Sequence, residues 1–245
     1  MCERRYLREI GRETYGGGVY LSLGLKLKFL NPVFEFKDYY RLNMSYNLLP
    51  PVNDYGILLN DGENERGGSI DVGIDFKDKG KVNLNSSYSF EVLGDGKWFE
   101  NNLKYEIDSK KFDIILKIGR YTTQWNKYFG VEDRKENYFH LDFLYKNFLP
   151  VQFNLKIRDR LIVDKREVLR DFGLSFFPMS NLTFGLLFQN DEEGHLSFNL
   201  SYVFKYKYRI LIEYGSRRSD IICSRGVCRW EPSFDGFRLF IELKF

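Results

Sequence analysis

The sequence predicts an all-β fold, a closed antiparallel up-and-down β-barrel of about 14 strands that crosses a membrane. Three observations lead to this prediction. Apolar and polar residues alternate with period two from about residue 19 to the end of the chain. Aromatic residues make up 18% of the chain although its mean hydropathy is −0.40, so apolar side chains are numerous but dispersed. Short and long connections between the predicted strands also alternate along the chain.

The first clear alternating run shows the strand signature. One face is apolar and the other is mostly polar or small, because Val19, Leu21, Leu23, Leu25, Leu27 and Phe29 alternate with Tyr20, Ser22, Gly24, Lys26 and Lys28. Similar runs recur, about thirteen in all, and no segment has convincing helical periodicity. Apolar stretches are far shorter than the roughly 20 residues that a helix needs to cross a bilayer. Any membrane crossing is therefore predicted to use strands.

The connections fall into two classes. The tight ones lie around residues 31–32, 79–80, 109–110, 148–150, 178–181 and 205–207, and the longer ones at about 49–68, 94–97, 122–136, 159–167, 190–194 and 215–236. Short turns at one rim and longer loops at the other are typical of membrane barrels, which have short periplasmic turns and longer extracellular loops.

The alternation alone does not decide which face is buried. In a soluble barrel, the apolar residues of about thirteen strands would have to fill a lumen that side chains fill comfortably only near eight strands. A two-layer sandwich would not explain the alternating loop lengths. The apolar face is therefore predicted to contact lipid, with girdles of aromatic residues near the strand ends, Trp98, Tyr121 and Tyr138 among them.

The polar face is then predicted to line a water-filled lumen. It carries mixed charges, which do not indicate strong ion selectivity, on Lys26, Glu35, Lys37, Arg41, Asp71, Asp75, Glu91, Lys104, Glu106, Lys117, His140, Asp142, Lys156, Arg158, Arg209, Glu213, Arg238 and Glu242.

The C-terminal run Phe237, Leu239, Ile241, Leu243 and Phe245 resembles the last strand of bacterial outer-membrane proteins of the porin-like superfamily, which ends on an aromatic residue. The resemblance extends over residues 19–245 and implies location in the bacterial outer membrane. It also implies that the outer-membrane assembly machinery recognises this run as its signal. No narrower family is indicated.

The N-terminal segment, residues 1–18, has three interpretations. If Phe245 lies at the periplasmic rim, counting hairpins backwards leaves the strand at 19–29 without a predecessor. Bacterial single-chain barrels have even strand numbers, so residues 4–14 are expected to form a fourteenth strand at the edge. The segment could instead be an arm or plug, or the remnant of an upstream region, since no signal peptide is recognisable.

The three cysteines are Cys2, Cys223 and Cys228. The last two enclose a four-residue loop that a disulfide could close in an oxidising compartment, and two reduced thiols are an equal alternative.

The leading functional hypothesis is a passive channel for small hydrophilic solutes. The alternative is a closed barrel that serves envelope structure, adhesion or assembly. An outer-membrane hydrolase has less support, because only His140 with Asp142 offers a possible base and no known catalytic motif is present. The chain is accordingly expected not to be an enzyme and to hold no cofactor or metal.

The expected partners are outer-membrane lipid, the assembly machinery and small solutes. Lipopolysaccharide phosphates are possible partners of arginines in the predicted loops, namely Arg134, Arg160, Arg166, Arg217, Arg218, Arg225 and Arg229. A net charge of +3 gives no reason to expect nucleic acid.

Overall fold

A computed structural model describes residues 2–9, 12–40, 65–92, 95–126, 131–162, 165–191, 193–204, 208–218, 220–224, 227–231 and 233–243. These residues form β1 (Cys2–Glu9), β2 (Arg12–Gly24), β3 (Leu30–Tyr40), β4 (Glu65–Asp75), β5 (Lys81–Glu91), β6 (Lys97–Asp108), β7 (Phe112–Asn126), β8 (Val131–Tyr145), β9 (Val151–Ile162), β10 (Lys165–Met179), β11 (Leu182–Asn190), β12 (His195–Phe204), β13 (Tyr208–Arg217), β14 (Asp220–Ser224), β15 (Val227–Glu231) and β16 (Phe234–Leu243). Within these ranges, no helix is long and apolar enough to cross a bilayer.

Fourteen strands form one antiparallel sheet in the order β1 to β13 followed by β16, so each strand pairs with its neighbours along the chain. The remaining two, β14 and β15, form a separate hairpin between β13 and β16. This is the up-and-down order that the sequence predicts, and the predicted fold class is confirmed.

The pattern of exposed and buried side chains on the two faces of the sheet is the reverse of that in a soluble protein. Apolar side chains on the outward face are exposed, such as Leu23 at 60% and Phe237 at 66%. Charged side chains on the inward face are buried, such as Glu100 at 0% and Glu136 at 1%. Soluble proteins rarely expose so much contiguous apolar surface, so the outward face is suited to lipid.

A row of polar residues interrupts the outward face across β5–β9. The register pairs Ser86 with Asn101, Asn101 with Arg120, Arg120 with Asn137, and Asn137 with Asp159. On the periplasmic side of this row, the outward residues are apolar, with Leu103 and Ile118 next to it. The row therefore marks the outer edge of the apolar belt.

The first turn lies at 25–29 and not around Asn31-Pro32, which belong to β3. The ladder between β2 and β3 ends at Gly24 and Val33, and beyond it Leu25 N–H donates to the Pro32 carbonyl. Pro32 lies near the beginning of its strand, where a missing backbone donor is tolerated. Lys26 consequently lies past the end of β2, exposed in the turn.

Two predicted extracellular loops are wrong in extent. β7 continues to Asn126 and β8 begins at Val131, which removes most of the loop predicted at 122–136. β9 and β10 likewise extend to Ile162 and from Lys165. Both faces are largely polar in these strand ends, so the apolar alternation that reveals a strand is missing there. Strands of 15 residues exceed the roughly 9–11 needed for a tilted crossing and extend beyond the bilayer.

Candidate functional site in the barrel lumen

The inward face of β6–β8 forms a packed aromatic and cationic layer toward the extracellular side. The rings of Trp98 and Tyr121 stack at 4.8 Å with an interplanar angle of 10°. The guanidinium of Arg134 lies 5.4 Å from the centre of the Tyr121 ring. All three side chains are buried, so little water reaches this layer.

Two clusters of arginine and carboxylate stand beside the aromatic layer. Arg134 Nη2 and Arg160 Nε each donate to Glu136 Oε2 at 2.8 Å. In the second cluster, Asp171 accepts from Arg158 Nη2 at 2.9 Å and from Arg218 Nη2 at 2.5 Å. Burial of a charge is costly without a partner, and each carboxylate here compensates two guanidinium groups.

Further charge pairs continue around the inward face. Lys37 donates to Glu65, and both side chains are fully buried. On β13 and β16, Glu213 accepts from Arg238. We call the buried charged and aromatic layer of the extracellular half the outer constriction, and it consists of Lys37, Glu65, Trp98, Glu100, Tyr121, Arg134, Glu136, Arg158, Asp171, Glu213 and Arg218.

Tyr138 links the constriction to the layer below it. Its hydroxyl donates to Glu100 Oε1 at 3.0 Å. A Cβ at position 119 would stand 2.4 Å from the Tyr138 oxygen, so the ring packs where only a glycine leaves room. Tyr138 therefore lies flat against the β7 backbone inside the lumen.

The periplasmic half of the lumen is more open. The inward side chains of Lys104 and Glu106 are 33% and 31% exposed, and those of Lys117 and Asp142 are also partly exposed. We call this region the inner vestibule. The lumen thus has a water-accessible inner zone and a closely packed outer zone.

The predicted lumen-lining residues distribute between the two zones. Lys37, Arg158 and Glu213 are buried, and Lys156 and Arg209 are exposed. The partly exposed ones are Glu35, Asp71, Asp75, Glu91, Lys104, Glu106, Lys117, His140, Asp142 and Arg238. Arg41 lies outside the described residues, and the side chain of Glu242 is not described although its backbone belongs to β16.

Sequence reasoning missed several residues of the constriction. It assigned Trp98, Tyr121 and Tyr138 to interfacial girdles, which is wrong, because all three are buried in the lumen. The alternation of side chains along β6 could have placed Trp98 correctly. Trp98 lies on the same face of the strand as Glu100 and Asn102, whereas Phe99 lies on the outward face. Arg134 and Glu136 were missed because their strand end was taken for a loop.

Arginines expected to bind lipopolysaccharide phosphates are largely engaged elsewhere. Arg134, Arg160 and Arg218 bind carboxylates of the lumen, and Arg166 forms a bidentate pair with Asp159 at 2.8 Å. Arg225 lies outside the described residues, and the side chain of Arg229 is not described.

His140 and Asp142 do not form the pair that a catalytic base would need. Nε2 of His140 is buried and has no hydrogen-bond partner among the described residues. Asp142 instead accepts a hydrogen bond from Asn154. In the described part of the chain, no three His, Cys, Asp or Glu side chains are grouped so that they could hold a metal ion.

The proposed assembly signal occupies β16. Phe237, Leu239 and Ile241 project outward and are exposed, Leu243 ends the strand, and Phe245 lies outside the described residues. In the β14–β15 hairpin, the backbone of Cys223 pairs directly with that of Cys228.

Comparison with known proteins supports the class of fold. Residues 173–245 match the model of a family of unknown function, DUF6029. No curated protein matches. Among solved structures, outer-membrane expressed OmpT of Vibrio cholerae is similar with a TM-score of 0.53 and 13% identity, over 94% of this chain and 82% of that one. In-vitro folded OmpT of the same organism has a TM-score of 0.48 and 10% identity, over 98% and 93%.

The chain has the fold of an outer-membrane β-barrel, as its strand order, its exposed apolar face and the likeness to the first of these structures show. The prediction that it is not an enzyme is corrected by the same finding. It rested on missing motifs, whereas the barrel fold shared with the OmpT structure of TM-score 0.53 does not exclude catalysis. One fold hosts many unrelated functions, so a barrel fold by itself argues neither for nor against an enzyme.

Proposed function

We propose that this barrel is a diffusion channel for small hydrophilic solutes. The observation that carries the proposal is the polar, partly exposed wall of the inner vestibule, which leads to the constriction. Lys104, Glu106, Lys117 and Asp142 offer charges of both signs to water and to passing solutes. A lumen of this composition admits polar molecules more readily than apolar ones.

The outer constriction would set the size limit of the channel. Its side chains are held by two-sided ion pairs and by the stack of Trp98 on Tyr121, so they form a fixed rim. A rigid rim of paired charges favours small solutes that can exchange their hydration shell for fixed polar groups.

Conductance of the purified protein in planar bilayers tests the proposal. We expect discrete conductance steps, and Trp98→Ala should enlarge them severalfold because it removes a buried ring from the constriction. Phe99→Ala is the matched control, since Phe99 is the next residue of β6 and projects from the outward face, away from the lumen. A folded barrel that passes no ions, with or without Trp98, would overturn the channel.

A closed barrel with a role in envelope structure, adhesion or assembly is the second candidate. It is favoured by the burial of the constriction, where Glu136 is 1% and Asp171 is 6% exposed. Neither conductance nor solute-driven swelling of proteoliposomes is expected in that case, even when Trp98 is replaced. The same two measurements therefore separate the candidates.

We propose that the barrel lies in the bacterial outer membrane, and its expected partners follow from that location. We propose that the assembly machinery binds the C-terminal run that includes Phe237 and Phe245, and that the outward face binds outer-membrane lipid. Arg166 projects outward near the outer edge of the belt and is the described arginine best placed for a lipopolysaccharide phosphate, although Asp159 already engages it.

A further inference from the structure

Four nitrogen-bearing side chains lie in one row across the wall of the inner vestibule. The register pairs Lys104 with Lys117, Lys117 with His140, and His140 with Lys156. All four belong to the inward parity of β6–β9. Since neighbouring strands are about 4.8 Å apart, the row spans roughly 15 Å. We call it the basic row.

Such a row is unfavourable by itself. Like charges that face each other on neighbouring strands destabilise a sheet. Lys104 is compensated by Glu106, and Lys117 lies 5.5 Å from the centre of the Tyr138 ring. Lys117 and Lys156 flank His140 in the register, and an anion bound between them would lower their mutual repulsion.

The nearby carboxylates are occupied by other groups. Asp142, one inward position below His140, accepts from Asn154. Asp171, which faces Lys156 in the register, is held by Arg158 and Arg218. These two carboxylates are therefore engaged by groups outside the basic row.

His140 supplies a second, independent observation. Its Nε2 atom is buried and, in the part of the chain that the structure describes, has no hydrogen-bond partner, which is uncommon for a buried polar atom. A neutral imidazole can donate one hydrogen bond through a protonated ring nitrogen. With the ammonium groups of Lys117 and Lys156 on the two neighbouring strands, this nitrogen would complete a set of three donors for one oxyanion.

We propose that Lys117, His140 and Lys156 form a binding site for the oxyanion of a small solute, a phosphate or a carboxylate. The site deepens the proposed channel function, on which it rests, by naming the class of solute. The next two inward residues of β9 toward the constriction are Arg158 and Arg160. Further cationic groups therefore lie beyond the site on the same strand.

Histidine signals in nuclear magnetic resonance spectra test binding without any flux. The chain has only two histidines, His140 and His195, so a protein labelled in its histidine rings gives two assignable signals. Titration of the folded barrel with inorganic phosphate should shift the His140 signal saturably and leave that of His195 in place. No saturable shift at His140 would overturn the site.

Lysine variants test whether the shift of the His140 signal depends on the charges of the basic row. Lys117→Gln and Lys156→Gln should each weaken phosphate binding about tenfold, because each removes one charged donor. Lys135→Gln is the matched control, since Lys135 projects outward on β8 and should leave binding unchanged. Heat-modifiable electrophoretic mobility confirms that each variant is folded. Equal affinity in all variants would overturn the assignment.

Ion preference measured under a salt gradient separates this inference from the channel proposal. The wild type should prefer chloride over potassium, and Lys117→Glu with Lys156→Glu should shift the reversal potential toward cation preference, while Lys135→Glu should not. If the barrel binds phosphate but never conducts, the result supports the oxyanion site and overturns the channel proposal. A conducting barrel without phosphate binding, whose preference the double variant does not change, keeps the channel and overturns the site.

Discussion

At the scale of single residues, the constriction depends on buried carboxylates that each serve two cations. Glu136 is the clearest case, because Arg134 and Arg160 both donate to the same oxygen, Oε2, at 2.8 Å. Its removal would leave two poorly hydrated guanidinium groups without their counter-charge. Removal of one partner from a buried ion pair destabilises a protein strongly. The intact pair, by contrast, adds little stability compared with apolar residues in the same place.

We therefore expect Glu136→Gln to lower the free energy of unfolding by about 3 kcal/mol. Urea unfolding of the barrel in lipid vesicles measures the change. Asp133→Asn is the matched control, because Asp133 is an exposed carboxylate of the same strand, and its effect should stay within about 0.5 kcal/mol. Equal effects of the two substitutions would contradict a compensating role for Glu136.

Single residues of the lumen could be predicted wherever one face of a strand was clearly apolar. Lys104, Lys117 and His140 were found because their neighbours alternate with Leu, Ile and Phe. Trp98, Tyr121 and Tyr138 were misplaced because an aromatic ring suits both an interface and a packed lumen, and only parity separates the two. The pairing of Arg158 with Asp171 depends on register between strands, which the sequence does not state.

At the scale of elements, β7 shows where the apolar belt ends. Ile118 is the last apolar outward residue before Arg120, and Thr122 follows one outward position farther toward the outside. A charge is costly within the hydrocarbon region and inexpensive near its edge. The strand therefore contains both a test position and its control.

Leu116→Arg, one outward position deeper than Ile118, should destabilise the barrel by about 2 kcal/mol, and Thr122→Arg by less than about 1 kcal/mol, because only the first places a new charge well inside the belt. Folding titrations in lipid vesicles measure both. Equal costs at the two positions would mean that the polar row from Ser86 to Asp159 does not mark the edge of the hydrocarbon region.

The β14–β15 hairpin carries the two cysteines with a close spacing. Directly paired residues of antiparallel strands have Cα atoms about 4.5–5.5 Å apart, which lies within the range of disulfides. Since Cys223 pairs with Cys228 in the ladder, we expect a disulfide in protein purified from the outer membrane. Maleimide labelling of the unfolded chain should modify only Cys2 before reduction and all three cysteines after it. Three labels before reduction would contradict the bridge.

At the scale of the whole molecule, the strand order was predictable and the division of the lumen was not. Period-two alternation and the C-terminal run determine the number and direction of the strands. The outer constriction arises where β7 and β8 extend beyond the belt. Both faces of these strand ends are polar, so the sequence there shows no alternation of apolar and polar residues. Its buried side chains reflect contacts between strands, such as that of Arg218 with Asp171, which a one-dimensional pattern does not contain.

The two zones of the lumen can be distinguished on one strand. Asn83 and Ser89 both point inward from β5, but Asn83 is partly exposed in the inner vestibule and Ser89 is fully buried in the extracellular half. In a background with the native cysteines replaced by serine, Asn83→Cys should react with a small, water-soluble maleimide in the folded barrel. Ser89→Cys should react at least tenfold more slowly, because the packed constriction excludes the reagent. Trp98→Ala should accelerate the reaction at position 89, since it opens that packing, without changing the rate at position 83. Equal rates at the two positions in the otherwise intact barrel would mean that the lumen is uniformly open, and the size limit would then have to lie elsewhere.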